Sequence, residues 1–169
     1  MRSGRERSFF KACVIGLMGI PLLCSCTPGQ HPFLIVQLCV ANDKGVDLFK
    51  QTLQSIARDE GMRYIDGSKN TTRDLKAMGT VGENMHTDGR LIYVGVEGDT
   101  GPSLEGGNLG LNTYDIAVGF ARGKDSDSAH AFSDRVTARL SQHWPIKIVP
   151  NGSGALPDPA CTQGAGSAP

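Results

Sequence analysis

Phe33-Leu34-Ile35-Val36-Gln37-Leu38-Cys39-Val40 is a near-continuous apolar run rich in β-branched residues. Such a run reads as a central strand buried on both faces. Asn42 or Asp43 can cap a helix directly after it. Val46, Phe49, Leu53 and Ile56 then recur at spacings of three and four, giving that helix one apolar face. Gly61 ends it as a C′ residue. Met62 to Ile65 reads as a short strand, and residues 70–78 as a brief helix capped by Asn70 or Thr71. Two longer strands are predicted over Arg90–Glu97 and Thr113–Phe120. In the second, Tyr114, Ile116, Val118 and Phe120 alternate with smaller or polar residues. Ser126 or Asp127 caps a last helix with Phe132, Val136 and Leu140 on one face. Pro145 stops it, and Ile146–Val149 is the final strand.

The resulting order is β-α-β-(α)-β-β-α-β. With right-handed crossovers, two main helices pack on one face of an antiparallel sheet. This α+β plan resembles the ferredoxin-like (split β-α-β) sandwich with a short extra strand and helix. The resemblance implies a fold and assigns no function. Residues 33–150 form the single domain. Residues 151–169 are Gly, Ser, Pro and Ala with almost no apolar bulk, the composition of a flexible tail.

Ahead of the domain, Arg2, Arg5, Arg7 and Lys11 precede an apolar stretch from Ala12 to Leu23, and then come Cys24-Ser25-Cys26. A basic region followed by a short apolar region marks an export signal. The twelve apolar residues are fewer than the roughly 20 needed to span a bilayer. Leu23 and the small Ser25 before Cys26 resemble the lipobox of a bacterial lipoprotein signal peptide. That resemblance implies cleavage after residue 25 and acylation of Cys26 with diacylglycerol and palmitate-type chains. Two or three buried chains suffice for stable anchoring. Cys24 is a rival acceptor, but the bulky Leu23 precedes it; a plain secretory signal is the alternative reading. Thr27 follows Cys26 where inner-membrane retention typically uses Asp, so the resemblance implies the outer membrane, facing the periplasm, in a Gram-negative cell. Residues 26–32 form a tether that reaches at most about 20–25 Å from the lipid.

The 169-residue chain is formally neutral. Without residues 1–25 it carries 13 basic and 16 acidic side chains. A mildly acidic surface excludes nucleic acid as an electrostatic partner. Beyond Cys26, Cys39 and Cys161 are an even pair in an oxidising compartment. Two arrangements are open: a disulfide that pins the tail to the domain, or a buried free Cys39 with a loose Cys161.

The glycine-rich stretch 98–112 reads as a long hairpin connection. If it binds anything, Asp99, Glu105 and Asn108 are the candidate contacts, and partner contact fits its length best. It lacks the Lys of a phosphate-binding P-loop and does not lead into a helix. His130 and Asp134 are one helical turn apart, with His143 nine residues on, at most half a metal site. Asp125-Ser126-Asp127 lacks the later residues of a calcium loop. His31 and His86 have no sequence-local partner. There is no Gly-x-Ser-x-Gly elbow. No catalytic residue, cofactor or metal is assigned. The expected function is a lipid-anchored, non-catalytic envelope domain that binds another protein, as an accessory, adaptor or immunity-type module. The alternative is a small-molecule or ion sensor using loop 98–112, and an enzyme ranks third.

Overall fold

The computed structural model describes residues 31–79, 90–99, 101–150 and 153–161. The expected signal peptide over residues 1–25, Cys26, most of the expected tether, His86 and the last eight residues lie outside the described residues. Along the chain run β1 (Leu34–Cys39), α1 (Asp43–Asp59), β2 (Arg63–Asp66), α2 (Ser68–Ala77), β3 (Tyr93–Glu97), β4 (Ser103–Gly107), β5 (Asp115–Ala121), α3 (Ser126–Leu140) and β6 (Lys147–Val149). The strands form one six-stranded sheet in the order β2-β3-β4-β5-β1-β6. Every neighbouring pair is antiparallel. This is an α+β, ferredoxin-like sandwich. β5-α3-β6 is a split β-α-β unit with β1 between its strands, and β1-α1-β2 crosses to the far edge.

The helical registers follow the apolar spacing. Val46, Phe49 and Leu53 of α1 and Val136 and Leu140 of α3 are wholly buried. They pack with Val36, Leu38, Val94, Val96, Leu104, Ile116, Val118 and Phe120 from one face of the sheet. Trp144 closes this core, edge-on to Phe49 at 6.2 Å. Arg135 of α3 clamps Glu60 just past α1 through two 2.7 Å hydrogen bonds. That hydrogen-bonded pairing holds the Glu60 carboxyl below its ordinary range.

Asn42 caps α1, its Oδ1 accepting from Gly45 N at 2.9 Å. Two other caps differ from expectation. α3 is capped by Asp125, whose Oδ1 accepts from Asp127 N and Ser128 N. α2 begins at Ser68, two residues early, because Asp66 Oδ1 accepts from both Ser68 N (3.1 Å) and Ser68 Oγ (2.6 Å).

The main correction concerns the stretch 98–112. It is not a hairpin loop: it contains β4, a full strand between β3 and β5. Its glycines serve packing. A Cβ on Gly106 would lie 3.3 Å from the Phe49 ring and 3.4 Å from Val94 and Val118. A Cβ on Gly107 would lie 2.4 Å from the Ile92 carbonyl oxygen. The strand sits where α1 and the β3 lead-in press closest to the backbone.

Candidate functional site

The helices cover one face of the sheet, and strand alternation puts a different set of side chains on the other. One row across that second face reads Ile65, Gly95, Glu105, Gly119, Ile35 and Val149, each opposite the next. Pro32 and Phe33 at one end and residues 153–161 at the other close the β5–β1 half of this face. Pro32 lies over Gly119, where a Cβ would meet it at 3.3 Å. Phe33 then turns toward α3, edge-on to His130 at 4.6 Å, with the Arg122 guanidinium 5.5 Å above its ring.

At the opposite end, residues 153–161 form a strap. Cys39 and Cys161 are joined in a disulfide, with Cα atoms 5.5 Å apart. The wholly buried Asp115 accepts from Gln37 Nε2 and from Asp158 N, both at 2.7 Å. Gln37 Nε2 also donates to Leu156 O at 2.7 Å, and Asn112 Nδ2 donates to Asp158 O at 2.9 Å. Lys147 lies 3.7 Å from Asp158. This part of the expected flexible tail is therefore packed on the domain, held by groups on β1, β5 and β6.

No described residue covers the β2–β4 half. Glu105 stands exposed there between two glycines, one on each neighbouring strand. Tyr93 lies diagonally across from it. Burial, and then the charge and hydrogen bonding of Glu105, push the Tyr93 hydroxyl above its ordinary pKa. Arg63 pairs with Glu97 across the β2–β3 register. Asp99, just beyond β3, is exposed.

Asn108 has no such freedom. It is wholly buried, its Oδ1 accepting from Ile92 N at 2.8 Å and its Nδ2 donating to Arg90 O and Thr113 O, both at 2.9 Å. It holds residues 90–92 against the β4–β5 turn, so β3 begins at Tyr93 and not at Arg90. The expected binding trio thus divides: Asp99 and Glu105 face solvent, while Asn108 is structural.

A second concavity, of about 660 Å³, is lined by Lys50, Asp66, Ser68, Lys69, Thr72, Arg90 and Leu91. Nothing in the local sequence announced it, because its walls come from α1, the β2–α2 corner and the lead-in to β3. Lys50 Nζ donates to Asp66 Oδ2 at 2.8 Å and to Ser68 Oγ at 3.1 Å. Burial pushes the Asp66 carboxyl up, but hydrogen bonds from Lys50 and Ser68 outweigh it and hold the pKa below its ordinary value. Burial, reinforced by the charge of Asp66, pushes the Tyr64 hydroxyl up to about 12.

No protein-family model matches the chain, and no curated protein matches it either. The functional reading therefore stands on these surfaces. Among the described residues no group of three His, Cys, Asp or Glu could hold a metal ion. His130 is engaged with Phe33, and His143 lies 5.2 Å from the Trp144 ring. No described helix is long and apolar enough to cross a membrane.

Proposed function

We propose that this is a lipid-anchored cell-envelope domain that acts without catalysis by binding another protein on the open half of its sheet. The observation that carries this reading is the uneven covering of that face. Pro32, Phe33 and the strap 153–161 close the β5–β1 half, while the β2–β4 half keeps Glu105, Tyr93 and Ile65 in reach of solvent. Gly95 opposes Glu105 on β3, so a partner's basic side chain can approach the carboxylate from that side, while Pro32 covers Gly119 on the other and the Tyr93 hydroxyl reaches it from the diagonal. With Asp99 and Glu97 nearby and Arg63 already paired with Glu97, the patch suits a partner that presents Lys or Arg beside apolar surface.

Acylation of Cys26 would hold the domain within a short tether of the membrane, in a Gram-negative cell the outer membrane facing the periplasm. β1 starts at the tether end, so the β2–α2 corner and the strap's disulfide lie at the end turned away from the lipid. The test is purification of the detergent-solubilised protein from cells after crosslinking. Wild type is expected to bring one stoichiometric envelope protein, Glu105→Lys to lose it, and Cys26→Ala to leave the membrane fraction. Equal recovery of the partner by Glu105→Lys would remove the open face from the account. A Cys26→Ala protein that stays on salt-washed membranes would remove the anchor.

A further inference from the structure

We propose that the cleft between α1, the β2–α2 corner and the lead-in to β3 binds the phosphate group of a small soluble ligand. Its volume of about 660 Å³ lies within the roughly 300–1,000 Å³ common for small-molecule sites. Among the described residues, three cations, Lys50, Lys69 and Arg90, line it against one carboxylate, Asp66. This surplus of two positive charges stands in a chain whose net charge is zero, and it matches a phosphate near neutral pH, which carries about −1.5 to −2.

The carboxylate is already engaged. Asp66 accepts from Lys50 Nζ, Ser68 Oγ and Ser68 N, so its charge is answered before a ligand arrives. The Lys50 side chain is only 15% exposed, which fixes one ammonium in the wall of the cleft. The other two cations remain available. Lys69 is exposed on the first turn of α2. Arg90 contributes one Nη2 contact of 3.3 Å to Asp47, which is itself 57% exposed. A surface pair of that kind is worth little, and a bidentate phosphate contact to the guanidinium can replace it. Leu91 and the aliphatic stem of Lys50 supply an apolar wall for the body of the ligand.

The cleft and the open sheet face share no side chain, so one can fail without the other. The test is a titration of inorganic phosphate into the full chain in neutral detergent, followed by amide NMR. Saturable shifts are expected at Lys69, Thr72 and Leu91, with core amides such as Val94 and Val118 unmoved. The double variant Lys69→Ala/Arg90→Ala should bind roughly tenfold or more weakly, with its core amides still in place. A parallel arm with phosphatidylglycerol vesicles separates a lipid headgroup from a soluble phosphate. Shifts that never saturate, that scatter over every surface Lys and Arg, or that survive the double variant would overturn the proposal. So would a cleft response to the vesicles alone.

Discussion

Removing the disulfide with Cys39→Ala/Cys161→Ala should detach the strap while leaving the sandwich folded. The crosslinked residues are 122 apart in sequence. In the chain-entropy model a loop of that size contributes about 5 kcal/mol, and measured values commonly fall to about 2–4 kcal/mol. The non-covalent contacts of the strap cannot replace it. Three hydrogen bonds tie it to Gln37, Asp115 and Asn112, each worth about 1 kcal/mol net. Ordering the backbone of residues 153–161 costs more conformational entropy than three such bonds return, so the strap needs the covalent link. Urea unfolding followed by Trp144, the chain's one tryptophan and a core residue, reports on the sandwich. With a urea slope of about 1–3 kcal/mol/M, the midpoint should drop by roughly 1–2 M. Hydrogen exchange at the Asp158 amide, which now donates to Asp115, reports on the strap and should lose its protection under native conditions. An unchanged midpoint together with a protected Asp158 amide would mean that the polar network alone holds the strap and that the disulfide is dispensable for it.

Three further outcomes follow from the packing and the charges. Gly107→Ala should cost about 2–3 kcal/mol by denaturant titration, because its Cβ meets a backbone oxygen that cannot step aside; Gly101→Ala, with open space around it, should stay within about 0.5 kcal/mol of wild type. Asn108→Ala should cost about 2–3 kcal/mol, since it leaves the Ile92 N–H and two carbonyls without their partner. The folded-state pKa of Asp66 lies below the ordinary 3.8, so below that pH the unfolded chain binds this proton first and stability falls as pH falls. Asp66→Asn should therefore be less stable at neutral pH and show a shallower loss between about pH 4 and pH 2, read from urea midpoints across that range.

Much of the architecture was legible because both periodicities were clean. Val46, Phe49, Leu53 and Ile56 announced α1, and the alternation from Tyr114 to Phe120 announced β5. β4 was hidden because Ser103-Leu104-Glu105-Gly106-Gly107 has one large apolar residue and two glycines, a composition that propensity assigns to a turn. Its inward positions are Leu104 and Gly106, and at the second a Cβ would press on Phe49 of a distant helix as well as on Val94 and Val118 of the neighbouring strands. α2 starts earlier than its own sequence indicates for a related reason: its first amide is satisfied by Asp66, a strand residue, and not by a local Asn or Thr. Of the candidate contacts, Glu105 and Asp99 were visible as charged residues, whereas the burial of Asn108 depends on residues 90–92 and 113. The cationic cleft was invisible because Lys50, Lys69 and Arg90 are far apart in the chain, and only the fold makes them neighbours.

If the open half of the sheet binds another protein, a photocrosslinking amino acid placed at position 105 in the cell should capture one envelope protein. Placed at position 134, an exposed site on α3, it should capture none. Equal capture from both positions, or capture from position 134 alone, would contradict the account.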